Sequence, residues 1–434
     1  MKGTLVPEEA DAAAAPRKGR TAVVLGGGGI TGGVFELGAL RALDAALVGS
    51  GVCDVDIVVG VSCGAVMGSH IAAGIRPDAL MQSLGGRGPL VPPFERGRVL
   101  KPDWRELGRR ASLVPKRVLD ALWLYARGRG DISLPDALMG LGELIPAGVL
   151  DGAGLEGFVH DNLVTTPCRD RFDGLTRELY IVAVDVDTGQ RAVFGSHDMR
   201  DMPISKAVRA SASFPPALAP TRINGRDYVD GGVEKNYHVD IAIAAGARLI
   251  IVVNPFVPLM NDPARFAVRL MSGRQARIVD KGMPAVVDQT LRMIMNSRTA
   301  EDVEELRRRH PDVDILMLEP APDDYAMFFY NVARFSARIH IAQHGYATAR
   351  ARLLRNFDEL RALFRQYNLT LSRDLLDREY EAIEGAGFSL DGVMRTLGHV
   401  PSWRLATTSS APSRLNPGRG PARQSTSSPA RTPA

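Results

Sequence analysis

Three short runs in this chain hold residues whose types and spacing could do chemistry: Gly60-Val61-Ser62-Cys63-Gly64, the glycine-rich stretch Gly26 to Gly33, and Asp230-Gly231-Gly232. The first is a G-x-S-x-G pentapeptide. A β-branched, apolar run (Val55 to Val61) precedes it, and small and apolar residues (Ala65 to Ala73) follow, which predicts strand, tight turn and helix. In that setting a serine sits on a strained turn with its hydroxyl beyond the sheet edge. Gly60 and Gly64 are required there because a Cβ would strike the adjoining strand and helix. The helix also turns its positive end toward the serine, which favours an anionic intermediate.

The second run reads Gly26-Gly27-Gly28-Gly29-Ile30-Thr31-Gly32-Gly33. Consecutive glycines let successive N–H groups converge on one point, an anion-binding nest at a helix start. An acyl hydrolase would use it as an oxyanion hole. A dinucleotide-binding oxidoreductase would use it for pyrophosphate, since Gly27-x-Gly29-x-x-Gly32 satisfies G-x-G-x-x-G. That second use wants an acid at the end of the next strand. Asp54 and Asp56 come before or at its start, and its end is taken by the Ser62 turn. Hydrolase chemistry uses both features.

The third run places an aspartate, Asp230, at a predicted strand end (Tyr228-Val229), followed by Gly231 and Gly232, which open a tight turn. An Asp-Gly-Gly alone is a common turn, and its weight comes from its company. His238, His340 and His344 follow Asp230, so a Ser…Asp…His order is formally open as well.

These residues must be held by a frame. The chain opens strand, loop, helix, strand, turn, helix (Thr21–Leu25, Val34–Val48, Val55–Val61, Ala65–Ala73), an alternation that argues for a parallel sheet covered on both faces. Further buried strands are expected at Leu179–Val186 and Leu249–Val253, a helix at Ile204–Ala212, and mainly helix beyond 260, with one strand-like run at Val313–Leu318. A loosely patterned region, 85–150, contains an amphipathic segment (Val118 to Tyr125) suited to a lid, a cap or a bilayer contact.

The net charge of +4 sits in the ends: residues 405–434 carry four arginines and no acid, and the body between the tails is close to neutral. A nucleic-acid-binding body is therefore disfavoured. Cys53, Cys63 and Cys168 form neither a disulfide framework nor a metal-ligand spacing, and fit a reducing, cytoplasmic setting. No Sec-type apolar region and no membrane-spanning run is apparent, so any membrane contact would be peripheral.

With these runs in this order, residues 21 to about 253 resemble the patatin-like phospholipase family. Ala210-Ser211-Ala212-Ser213-Phe214-Pro215-Pro216 and Asn236 match further blocks of that family, while Thr31 stands where it usually has Arg or Lys. The resemblance implies a three-layer α/β/α patatin-like fold with a mostly parallel central sheet and a largely helical C-terminal extension. It implies a Ser62–Asp230 dyad without histidine, with Ser62 as nucleophile and Asp230 as proton acceptor, and the N–H groups of Gly27, Gly28 and Gly29 as the oxyanion hole. The substrate would be a lipid or phospholipid ester, with no metal and no cofactor. The layout expected is a flexible leader (1–20), the hydrolase domain (21–260, with 85–150 as an insertion), a helical extension (261–403) and a disordered basic tail (404–434). A catalytically weak lipid-binding or regulatory protein on the same fold is the other reading.

Overall fold

The computed structural model describes residues 18–86, 91–127, 144–260, 274–324 and 337–385, together with 268–269, 272 and 327. The expected leader up to residue 17 and the basic tail lie outside the described residues.

Eight strands form the central sheet: β1 (Arg20–Leu25), β2 (Ile57–Val61), β3 (Glu178–Asp185), β4 (Arg191–Phe194), β5 (Thr221–Ile223), β6 (Arg226–Asp230), β7 (Ala247–Val253) and β8 (Asp314–Leu318). They lie in the order β8-β7-β1-β2-β3-β6-β5, with β4 also paired to β3. The first five of that order run parallel, whereas β4, β5 and β6 are antiparallel. The helices used below are α1 (Gly29–Ala46), α2 (Cys63–Ala72), α3 (Pro77–Leu84), α4 (Trp104–Arg127), α5 (Ala153–Leu163), α6 (Ile204–Ser211), α7 (Val239–Ala244), α8 (Met283–Arg309), α9 (Arg338–Arg355) and α10 (Arg373–Gly385).

The sheet is covered on both faces, which is why its parallel strands are apolar throughout rather than alternating. Val23 and Leu25 of β1 and Val58 of β2 turn into the cluster shared with α1, α2, α3, α5 and α9. Ala22, Val24, Ile57 and Val59 turn to the opposite face, against Val239 and Ala242 of α7 and Val303 of α8. This is the three-layer architecture.

The described residues beyond 260 are largely helical and pack onto the rest of the domain. β8 completes the edge of the sheet, its Leu316 and Leu318 buried beside β7. α9 packs along α1 so closely that a Cβ on Gly38 would stand 2.0 Å from the Ala342 carbonyl oxygen, and one on Gly345 would stand 2.2 Å from that of Phe35. α1 is consequently enclosed on all sides, and its buried Arg41 is compensated by Glu379 of α10 at 2.8 Å. The apolar run 313–318 showed a strand, but nothing local in it tells that it joins this sheet.

Candidate active site

β2 ends at Val61 and α2 begins at Cys63, so the whole reversal falls on Ser62, whose φ of 55° and ψ of −121° are strained for a residue with a Cβ. The flanking glycines are dictated by contact. A Cβ on Gly60 would stand 2.5 Å from the Gly64 carbonyl oxygen, and one on Gly64 would stand 2.4 Å from that of Leu25. The Gly64 N–H donates to the Gly26 carbonyl at 3.1 Å, stitching this turn to the glycine-rich loop.

Sheet register brings Asp230 to the same place. Val61 lies beside Val182 of β3, and on the other side of β3 Asp230 lies opposite Ala183. Ser62 and Asp230 thus flank one strand at the same level, and hydrogen bonding from Ser62 is one of the influences that lower the Asp230 carboxyl pKa. Both are buried, Ser62 at 7% and Asp230 at 2% exposure. Asp230 Oδ1 also accepts the Gly232 N–H at 2.8 Å. Burial dominates over both hydrogen bonds and pushes the Asp230 carboxyl up from 3.8 to about 7.

Ser211, the last residue of α6, and Ser213 just beyond it hold both segments in place, a role that sequence reasoning missed. Ser211 Oγ accepts the Ser62 N–H at 2.9 Å while donating to the Val182 carbonyl at 2.6 Å. The Ser213 carbonyl accepts the Asp230 N–H at 3.0 Å. Both serines lie in a run singled out by its sequence, but only tertiary register tells which atoms they serve.

The loop from Gly26 lies against this pair, with a Cβ on Gly27 falling 3.4 Å from Ser62 Cβ. Its N–H groups are not equivalent. The Gly27 N–H donates to both the backbone carbonyl and Oδ1 of Asn236, each at 3.1 Å, so this donor, expected to face an oxyanion, is already engaged. Asn236 is held in turn by Asn254, whose Oδ1 accepts its amide at 2.6 Å, and Asn254 reaches Glu319 at the end of β8. Gly28 and Gly29 stand at the start of α1, where N–H groups lack intrahelical acceptors, and Gly29 adopts φ of 62°. Thr31 is buried in the first turn of α1 and brings no charge.

Ser62 opens into a cavity of about 160 Å³ in the helical layer, bounded by Leu37 of α1, Val66 of α2, Leu84 of α3 and Phe158 of α5, with Phe94 beside them. Its lining is almost wholly apolar. Besides Ser62, the exceptions are Ser83 of α3 and His70, two turns along α2 from Ser62. Its Nδ1 donates to the Val66 carbonyl at 2.7 Å, leaving Nε2 to accept from Asn162 at 2.9 Å, and burial lowers its pKa to about 4. It stands as a neutral wall residue.

The three histidines weighed for a triad are elsewhere. His238 is buried, with Nδ1 accepting from Arg191 at 3.1 Å and its pKa lowered to about 3 by burial. His344 pairs with Asp324, and His340 is exposed on α9. Glu36 had drawn no notice. Wholly buried on α1, it interacts with Cys63 and Gly26, and burial pushes its carboxyl well above the usual range. Cys63 is likewise buried, its thiol pushed up. Among the described residues no cluster of three His, Cys, Asp or Glu side chains could hold a metal ion.

The model of the patatin-like phospholipase family matches residues 23–243, just over half of the chain. The chain belongs to the patatin-like phospholipase family. This patatin-like chain is 29% identical over 75 residues to the probable lipid hydrolase 463L of Invertebrate iridescent virus 6, across 17% of its own length. It spans about a quarter (26%) of the length of that relative. Among solved structures it is similar to VipD from Legionella pneumophila at 14% identity and a TM-score of 0.31, over 78% of this chain and 67% of that one. It is also similar, at 14% identity and a TM-score of 0.31, to a chain of the complex of full-length SpcU with full-length ExoU from the type III secretion system of Pseudomonas aeruginosa, over 82% of this chain and 61% of that one. Among the described residues no helix is long and apolar enough to cross a membrane.

Proposed function

We propose that this protein is a serine lipid acyl hydrolase, a carboxylic-ester hydrolase of the phospholipase A kind, working through Ser62 and Asp230. The observation that carries this reading is the sheet register that sets a strained, cavity-facing serine beside a buried carboxylate. An acyl chain enters the apolar cavity, so the ester carbonyl comes to rest over Ser62 while the polar head group stays outside. Asp230 takes the hydroxyl proton as Ser62 Oγ attacks the carbonyl carbon. A carboxylate at its ordinary pKa is a feeble base; one raised to about 7 is matched to neutral pH.

Charge develops on the carbonyl oxygen, and the N–H groups of Gly28 and Gly29, at the positive end of α1, are the donors that would receive it. Gly27 contributes by fixing the loop through Asn236. Collapse of the tetrahedral intermediate expels the alcohol, which takes the proton held by Asp230, and leaves an acyl-Ser62. Water then attacks the acyl carbon while Asp230 accepts its proton; the bond from that carbon to Ser62 Oγ breaks, Asp230 returns the proton to Oγ, and the fatty acid departs. No histidine is needed in this sequence of steps, in keeping with the positions of His238, His340 and His344.

Turnover of a soluble p-nitrophenyl ester tests the proposal. Ser62→Ala and Asp230→Asn should each abolish it, while alanine at His238, His340 or His344 should leave kcat within a few-fold of wild type. Equal, slow turnover by wild type and both site variants would overturn the reading in favour of a lipid-binding protein.

A further inference from the structure

An exposed helical segment begins beside the cavity. Val99 and Leu100 line the cavity, Lys101 and Pro102 pair with Leu150 and Asp151, and α4 starts at Trp104. Asp103 caps it, its carboxylate accepting the Glu106 N–H at 3.0 Å. From there α4 runs for 24 residues, and none of its described side chains is buried.

It nevertheless carries large apolar side chains. Trp104 is 73% exposed, Leu119 66% and Trp123 60%, with Val114 and Val118 also exposed. Trp104, Leu107, Val114 and Val118 recur at helical spacing and make one stripe, beside which Leu119 and Trp123 lie. Five described cationic side chains (Arg105, Arg109, Arg110, Lys116, Arg117) stand against two acidic ones, Glu106 being taken up by Arg109 and Arg110 and Asp120 lying 4.0 Å from Arg117. An exposed apolar stripe flanked by cations, with Trp104 on the stripe and Trp123 at its border with the cationic row, suits the boundary between lipid head groups and acyl chains.

Resting on the reading that the chain hydrolyses lipid esters, we propose that α4 docks the protein on an anionic bilayer, bringing the cavity wall at Val99 and Leu100 to the membrane surface. The excess of cations selects an anionic surface over a neutral one, and the exposed tryptophans and leucine insert among the acyl chains. Binding is therefore electrostatic in its approach and weakens with salt.

Flotation with vesicles of phosphatidylcholine alone, and of phosphatidylcholine with phosphatidylglycerol in a two-to-one ratio, tests this with the full chain. Wild type should float with the mixed vesicles and lose about tenfold or more of that partitioning on neutral vesicles or in molar salt. Leu119→Glu/Trp123→Glu, and separately Lys116→Glu/Arg117→Glu, should lose about tenfold or more as well. Turnover of a soluble ester and the far-ultraviolet circular dichroism should stay unchanged in both. Flotation of the inactive Ser62→Ala protein should equal wild type, so a failure of docking and a failure of hydrolysis read out separately. Equal flotation on neutral and anionic vesicles, undiminished flotation of both variants, or a wild-type dimer that these variants dissociate would overturn the proposal.

Discussion

Replacing Asp230 by Asn should make the protein more stable and inactive at once, and the stability gain should depend on pH in one direction. Burial raises the Asp230 carboxyl from 3.8 to about 7, so the folded state holds a proton that the unfolded chain has released over that interval. A group raised in the fold lends its stability below the unfolded pKa and loses it as pH climbs through the folded one. Across this span the cost of the ionised form reaches about 4 kcal/mol. Asparagine keeps an oxygen for the Gly232 N–H and carries no charge to desolvate, so it avoids that cost. Urea denaturation of the two proteins from pH 4 to pH 8.5 measures the difference. The advantage of Asp230→Asn should be small near pH 4, grow toward pH 7 and then level off near about 4 kcal/mol. A difference that stays flat across the range, or that shrinks with rising pH, would refute the claim that Asp230 is a desolvated carboxylate poised as a base.

Other outcomes follow from neighbouring atoms. Ser211→Ala removes the acceptor of the Ser62 N–H and should cost about 1–3 kcal/mol in stability and at least tenfold in kcat with little change in KM. Gly38→Ala drives a methyl into the Ala342 carbonyl, and thermal unfolding should show a loss of about 3 kcal/mol or more unless α9 separates from α1. Glu36→Gln imitates the protonated acid that burial favours, so ester turnover at pH 7 should be retained, whereas Glu36→Lys should leave no soluble folded protein on size-exclusion chromatography.

Much of the frame is readable because its signals are local. Buried parallel strands are apolar runs, and Gly60, Ser62 and Gly64 mark the turn by residue type and spacing alone, although the contact that fixes Gly64 is with Leu25 of β1. Asp230 is readable as a strand-end acid before two glycines. What connects these pieces is not local. Ser62 and Asp230 meet only because β2 and β6 lie on either side of β3 in one register. The engagement of the Gly27 N–H by Asn236 needs contact across more than two hundred residues. Loop glycines show that N–H groups can converge, not which are already spent. The packing of the helical part beyond residue 260 is hidden for a similar reason: helical periodicity describes α9 without showing that Gly38 and Gly345 let it lie against α1. α4 is the converse case, since its amphipathic pattern is plain in the sequence and only the structure shows how far Trp104, Leu119 and Trp123 are exposed.

The central claim is that Ser62 is an activated nucleophile whose proton goes to Asp230. Labelling with a fluorophosphonate, followed by mass-spectrometric mapping and repeated across pH, addresses it most directly. The modified residue should be Ser62, with a labelling rate that rises about tenfold per pH unit below about 7 and then levels off. Asp230→Asn should label far more slowly without that rise. Modification at another serine, or equal labelling of Ser62 in wild type and Asp230→Asn, would contradict the account.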